Sequence, residues 1–497
     1  MATTEKIITL PNLQTYHAQI KQMLNILSGN DVTLQNNIDA VEENYFSADE
    51  AIRQSVAGLQ GQLTAVEASI RTISAGGYLQ GAENLYAYGV EFDESNASPT
   101  LTRIGNTALH VTLPVQSKMR GGLLTDDGIF TPFTSTDDWT SETRDGSLGQ
   151  VMVEVPAHYM KFETEGTTHR VWLSEVPLEG YKYIPAYYVS AYEATVQRSA
   201  LKLASVVNTT ADFRGGHNES SWDADADKTL LGRPATNISL TTFREYARNR
   251  HVVNGQQDTR WNQYTYSIHR DIFWLFVTEY ATLHSQLGFN SAKTTEGYAQ
   301  GGLGAGVTTV TETTWNNLSG HSPFVPCGYT DSLGNNSGVI SLAHAVLGTV
   351  SVNRFHGIEM PFGHIWKWGD GSLVNVTAGN DGTSQVFTCE NAAYFSSTST
   401  ANYKNVGNKS RENGYVKSIL FGDDGDIFPK EVGGTGVGST TYLTDYHWAD
   451  TSTTQLRAVL LGGNAHDGTA AGLGHVNTNL VPGIVSRRVG SRLCFLP

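Results

Sequence analysis

Positive charge is scarce in this chain: 33 lysines and arginines stand against 48 aspartates and glutamates in 497 residues, a net charge of −15. A phosphate backbone would be repelled, and no dense basic stripe offsets the deficit, so nucleic acid is not an expected partner. Cysteine is scarcer still. Cys327, Cys389 and Cys494 are far apart and odd in number, which argues against a disulfide framework or a C-x-x-C zinc site and leaves buried thiols as the reading. No apolar run approaches the length that spans a bilayer, so no membrane insertion is expected. Residues 1–6 lack a basic stretch leading into an apolar one, and no secretory signal is expected.

What the chain does hold is enough for a core: 39% of its residues are hydrophobic and 10% are aromatic, with 51 glycines suited to loops and short strands. Its length implies more than one domain. Near the start, Leu13, Ile20, Leu24 and Leu27 keep a helical spacing that Ser28-Gly29-Asn30-Asp31 interrupts. Ile38, Val41, Tyr45, Ala48 and Ile52 then alternate three and four apart, and Val56, Leu59, Leu63, Val66, Ile70 and Ile73 continue the seam. This is a heptad pattern with a stutter between Ile52 and Val56, and Ser47-Ala48-Asp49-Glu50 has capping-box form, so a fresh helix is expected there. Ile52, Val56, Leu59, Leu63, Val66, Ile70 and Ile73 are the expected trimerisation residues, since mixed β-branched and leucine positions lean towards three strands. The alternative is an amphipathic helix packed on its own globular domain.

After Ser74-Ala75-Gly76-Gly77 the period changes. Leu101-Thr102-Arg103-Ile104 and His110-Val111-Thr112-Leu113 alternate as strands do, while Asp126-Asp127-Gly128 and Arg144-Asp145-Gly146 are turn signals. Further on, 151–155 and 186–193 read as strands, Phe243, Tyr246 and Ala247 mark one helix, and Ile268, Ile272, Leu275, Phe276 and Leu283 a longer one. The expected fold class is α+β, in four parts: a helical attachment segment (1–30), a coiled-coil stalk (31–77), a small β-rich neck (78–150) and one large domain (151–497).

Gly363-His364-Ile365-Trp366-Lys367-Trp368-Gly369 places two tryptophans on one side of a strand, where a second layer must cover them. It is followed by Arg457-Ala458-Val459-Leu460-Leu461-Gly462-Gly463-Asn464 and by Val489-Gly490-Ser491-Arg492-Leu493-Cys494-Phe495. This order resembles the formylglycine-generating-enzyme type of C-type lectin fold, with Lys367 for Glu, Asn464 for Ser and Ser491 for Phe. The stretch from Ile184 to Thr195, in which Tyr187-Tyr188 leads to Tyr192-Glu193-Ala194-Thr195, looks like that family's opening strand. The resemblance implies a large C-terminal C-type lectin fold domain. Together with Arg233-Pro234-Ala235-Thr236-Asn237-Ile238, Tyr246-Ala247-Arg248-Asn249-Arg250 and the stalk, the chain resembles phage tail receptor-binding proteins of the retroelement-diversified, major-tropism-determinant-like group.

In that group variable positions sample codons that cannot encode Lys, Glu, Gln, Met or Trp, and 464–488 contains none of the five. A plain surface loop rich in glycine and asparagine would look the same. Under the resemblance, the receptor-binding residues are Asn464, Ala465, His466, Asp467, Thr469, Leu473, His475, Val476, Asn477, Asn479, Leu480, Val481, Ile484 and Ser486, with exposed side chains framed by strands 456–461 and 489–495. Tyr442, Tyr446 and Trp448 precede them as rigid anchors, because tyrosine and tryptophan give large contact area at low conformational cost.

The chemistry of the formylglycine enzymes needs a close cysteine pair, which is missing, and no G-x-S-x-G or H-E-x-x-H occurs. Asp223-Ala224-Asp225-Ala226-Asp227 has Lys228 and Pro234 where an EF-hand needs glycine and glutamate. The glycine-rich run 301–306 and Asp423-Asp424-Gly425-Asp426 read as a flexible loop and a hairpin turn. No enzyme activity, cofactor or metal is expected. The expectation is a homotrimeric phage tail-fibre or tail-tip adhesin, carried on the virion, held to other tail proteins by its N-terminus and binding a bacterial surface protein or glycan. The rivals are a secreted or surface-displayed bacterial ligand-binding protein and, behind it, a glycan-active enzyme.

Overall fold

The computed structural model describes residues 15, 17–22, 32–74, 83–96, 100–216, 232–286, 293–299, 303, 323–342, 347–433, 443 and 445–497. They belong to two compact units, 1–79 and 80–497.

In the first unit, alanine, glutamine and glutamate recur over a stretch without proline, which favours helix. Val32–Ser74 is a single helix of 43 residues, about 65 Å long at 1.5 Å per residue. The restart expected at Ser47 does not occur, because Ser47 Oγ donates to the Asn44 carbonyl at 2.9 Å within an unbroken helix and is not free to cap. Residues 17–22 form a helical segment antiparallel to it. Lys21 Nζ lies 2.7 Å from Glu42 Oε2, and the His17 ring stacks on Tyr45 at 4.8 Å. Ile38 is buried beside this contact, whereas Ile52, Val56, Leu59 and Leu63 are 46–64% exposed. The side chains of Val66, Ile70 and Ile73 lie outside the described residues, as does most of 1–30.

The second unit is built from three larger sheets. The first is antiparallel, in the order Thr102–Gly105, Ala87–Asp93, Thr168–Ser174, His158–Glu165, Lys182–Ile184. The second, also antiparallel, runs Trp261–Gln263, Leu493–Phe495, Tyr187–Ser190, Gln150–Val155, Arg120–Leu124, Phe130–Pro132. The third centres on Trp366–Val376, flanked by Ser384–Thr388 and Gln455–Leu461, and continues through Val476–Thr478, Tyr446–Ala449 and Gly414–Ile419.

Two expectations for the region after the stalk are corrected. The neck expected over 78–150 is not separate: Ala87–Asp93 pairs with Thr168–Ser174, and Arg120–Leu124 pairs with Gln150–Val155, so the boundary placed at 150/151 falls inside a shared sheet. His110–Leu113 is not a strand. Asn106 accepts the Ala108 N–H and starts a helix, Thr107–Thr112, that Leu113 ends in the left-handed conformation (φ 48°). Four alternating residues are too few to outweigh a cap.

Leu240–Arg248 and Tyr266–Tyr280 are the two expected helices. The second begins at Thr265, whose hydroxyl accepts the Ile268 N–H. Every residue of it except Ser267 is buried. It is enclosed on nearly all sides, and its buried polar residues, among them His269, Arg270 and Asp271, find partners within the protein. Its Phe273, Trp274 and Phe276 share one core with Val90 and Val171 of the first sheet, Val153 and Val189 of the second, and Val374, Val459 and Val476 of the third. Trp366 and Trp368 pack in a second cluster with Phe243, Trp261 and Leu460. All three cysteines are buried and unbridged.

Between these clusters lies a buried charge network. Glu193, 2% exposed, receives Lys367 Nζ at 2.8 Å on one oxygen and His364 Nδ1 at 2.6 Å on the other. His364 Nε2 accepts the Val325 N–H at 3.3 Å, which assigns the ring proton to Nδ1. Burial alone would raise the Glu193 pKa, yet Lys367 and His364 hold it down to about 2. Arg492, fully buried, donates to the carbonyls of Ser190, Ala191, Glu359 and Met360. Because Lys367→Met leaves a buried carboxylate without its cation, it is expected to lose about 3–5 kcal/mol of stability in urea unfolding, and the double variant Lys367→Met, Glu193→Gln to regain much of it. Equal losses in both would refute the coupling.

Candidate recognition face

The strand Tyr446–Ala449 alternates: Tyr446 and Trp448 are half-buried on one side, while His447 is buried on the other. His447 Nδ1 donates to the Val476 carbonyl at 2.8 Å, and its Nε2 accepts from Lys409 Nζ at 3.0 Å. Burial pushes Lys409 down to about 7 and His447 well below its usual range, so the pair is held with a neutral imidazole. Tyr446 meets Trp448 at 4.8 Å and Tyr415 edge-on at 5.0 Å. The register Tyr415↔Tyr446 sets that pair. Tyr415, which sequence reasoning missed, is half-buried like the other two. Its signal was the alternation of Tyr415 and Lys417 with Val416, but only the strand pairing shows what it faces.

The segment 464–488 divides into two. In the first part, Asn464 caps the short turn Ala465–Ala470 reciprocally with Asp467. The chain then dives inward. Leu473 N–H donates to Ser285 Oγ at 2.9 Å, Gly474 N–H donates to Asp445 at 2.7 Å, and His269 Nε2 donates to the Leu473 carbonyl at 2.7 Å. Val476–Thr478 is an interior strand of the third sheet, between Gln455–Leu461 and Tyr446–Ala449. Asn464, Ala465, Leu473, His475 and Val476 are therefore buried, contrary to the expected exposure. Ladder hydrogen bonds and core packing claim them, a demand that the local composition does not reveal. His466, Asp467 and Asn477 are half-buried, and Thr469 is exposed.

The second part fits the expectation better. Val476–Thr478 runs parallel to Tyr446–Ala449, so the chain following each leaves the sheet at the same end. Arg457 ties the two departures together, reaching Asp450 at 2.8 Å and the Asn479 carbonyl at 2.6 Å. Asn479, Leu480, Val481 and Ser486 are half-buried, and Ile484 and Val485 are exposed at 42% and 48%. Leu480 and Trp448 pack on the same tryptophan cluster. Tyr442 lies outside the described residues, as do 223–227 and most of 301–306.

Among the described residues no group of three His, Cys, Asp or Glu is placed to hold a metal ion, and no helix is long and apolar enough to cross a membrane. The Asp423–Asp426 turn has its carboxylates engaged internally: Asp424 with Lys404 at 2.6 Å, Asp426 with Arg270 at 3.1 Å.

No protein-family model and no curated protein matches the chain. Among the weakly similar solved structures are two Major Tropism Determinant variants. The Major Tropism Determinant I1 variant aligns over 83% of this chain and 86% of its own, at 8% identity and a TM-score of 0.18. The U1 variant aligns over 79% and 97%, at 9% identity and the same TM-score. A likeness at this level carries no argument about fold or activity.

Beneath the face, Asp445 is fully buried, and burial pushes its pKa up to about 7 against the hydrogen bonds from Gly474 and Ser285. The folded state thus favours the protonated acid. Stability from this group is present below the ordinary carboxylate pKa and is lost as pH rises through about 7. Asp445→Asn is expected to flatten the fall in urea midpoint between pH 4 and pH 7, about one carboxylate's share of the titration. An unchanged slope would refute the assignment.

Proposed function

We propose that the protein is a phage tail-fibre or tail-tip adhesin, a homotrimer without enzymatic activity or cofactor. It binds a bacterial surface protein or glycan through its C-terminal half. The observation that carries this reading is the order along one chain. A long helix bears an apolar seam that no described residue of its own unit covers from Ile52 to Leu63, and it precedes a β-rich body that offers half-buried aromatics beside an apolar loop. An isolated helix with so bare a seam gains stability by burying it against copies of itself. The leading helical segment is held at Glu42 and Tyr45, and on this reading the N-terminus joins the protein to other tail proteins.

Support for a C-type-lectin-like body comes from its layout. The strand Tyr187–Ser190 is followed by two helices and then by a long half of strands and irregular loops, with Trp366 and Trp368 buried as the family motif requires. On this reading recognition belongs to Tyr415, Tyr446, Trp448 and the loop 479–486. Several weak sites on one particle raise avidity without new contacts.

Light scattering at micromolar concentration is expected to give three chain masses, and the double variant Leu59→Asp, Leu63→Asp to dissociate, because carboxylates without partners are strongly disfavoured in an apolar seam. A monomeric wild type overturns the assembly. Ile484→Asp with Val485→Asp is expected to reduce attachment to host cells about ten-fold or more with melting temperature unchanged, since both side chains are exposed. Leu473→Ala is instead expected to cost about 2–5 kcal/mol of stability. Attachment that survives the loop changes places recognition elsewhere.

A further inference from the structure

A cavity of about 390 Å³ opens in the second unit, sharing no lining residue with the aromatic face. That is the size of a small-molecule site. One side is the central helix, whose Ser267, Arg270, Asp271 and Trp274 fall on a single face at helical spacing. The walls are apolar: Met160, Phe162, Ile184, Pro185, Trp274 and Leu496.

The polar groups of the cavity are unequal. Asp271 is fully engaged, accepting from His158 Nε2 at 3.1 Å and from the Tyr187 hydroxyl at 2.6 Å. Asp424 is engaged with Lys404 at 2.6 Å and Lys182 at 3.3 Å. Arg270 is anchored, with its side chain 8% exposed and one nitrogen 3.1 Å from buried Asp426. Its other nitrogen lies 2.7 Å from Glu390, which Lys182 also reaches at 2.9 and 3.0 Å. Glu390 differs from the other carboxylates, since its side chain is 49% exposed. A half-solvated carboxylate thus occupies a fixed guanidinium and an ammonium at the edge of an apolar slot.

We propose that this cavity binds a small monocarboxylate with an apolar body, whose carboxylate replaces that of Glu390 on Arg270 and Lys182 while its apolar part fills the slot between Phe162, Ile184 and Trp274. Glu390 is then an internal stand-in that gives way to solvent. The exchange trades one charge-assisted pair for another and adds burial of the ligand's apolar surface. An amine is disfavoured, because at Glu390 it would meet the anchored Arg270 cation 2.7 Å from the same carboxylate.

The test is calorimetric titration of the full chain with decanoate, decan-1-ol, decan-1-amine and N-acetyl-leucyl-leucine. Glu390→Gln, which removes the competing anion, is expected to bind decanoate about five-fold tighter than wild type, and Lys182→Met about five-fold weaker. Ala186→Trp, at a lining position, is expected to abolish binding with melting temperature unchanged. The alcohol and the amine are expected to bind about ten-fold more weakly or not at all. Tighter binding of the peptide acid, with the same dependence on Glu390, supports the site and assigns its ligand to chain termini. Equal binding of the amine or alcohol, unchanged affinity in Glu390→Gln, or no heat from either protein at roughly millimolar decanoate overturns the proposal.

Discussion

Glu193 stays ionised at 2% exposure only because Lys367, on the strand that carries the tryptophans, and His364, just before that strand, reach it, and much of the body's geometry follows from that requirement. Desolvating each ion costs several kcal/mol, so any packing that parts them is strongly disfavoured. Lys367 sits between Trp366 and Trp368 and points to the opposite side of the strand. A slip of one residue would drive the ammonium into the tryptophan cluster and the indoles towards Glu193. The pair therefore fixes the register of the third sheet against the opening strand of the second. Lys367 is thus held inside the fold by its pairing with Glu193.

A second constraint comes from the helix Tyr266–Tyr280. It is buried around its whole circumference, and one sheet can cover only one side. The three larger sheets all contribute to the core that holds it, and the first contains Ala87–Asp93 and Thr102–Gly105. Residues 87–93 and 102–105, soon after the long helix in sequence, thus belong to the second unit's core sheets. A free-standing neck would leave Phe92 and Trp274 without each other's ring, which they meet at 6.1 Å.

Where the deciding interaction is local, the sequence was legible. The three-and-four spacing from Ile38 to Ile73 marks the helix Val32–Ser74, the Trp366-Lys367-Trp368 alternation marks a buried strand, and the spacing of Ile268, Ile272, Leu275 and Phe276 marks the central helix. The readings that differ depend on distant partners. His110–Leu113 alternates like a strand until the Asn106 cap claims it. The boundary at 150 looked open because nothing in 78–150 announces its pairing with 150–155 and 168–174. Tyr415 gains its meaning from a strand some thirty residues later, and the cavity beside Arg270 is assembled from six separate stretches of chain. The composition of 464–488 describes which residues are present, and burial is set by neighbours that composition does not contain.

The division of that segment bears on where side chains can vary without loss of the fold. From 471 to 478 the chain supplies Leu473 and Val476 to the core and a strand to the middle of the third sheet. A polar or oversized residue at either core position would leave an unsatisfied group or force its neighbours off their rotamers, each at a cost of about 1–3 kcal/mol, a large share of a domain's net stability. From 479 onward the backbone is held from outside the segment: the Leu480 carbonyl accepts from Ala458, the Asn479 carbonyl from Arg457 and the Ser486 carbonyl from Asn237. These bonds use main-chain atoms, which every substitution except proline retains in full. Side chains such as Ile484 and Val485 can then change while the loop keeps its course. Tolerance to variation is therefore a property of how the backbone is anchored, and it begins where the ladder of Val476–Thr478 ends.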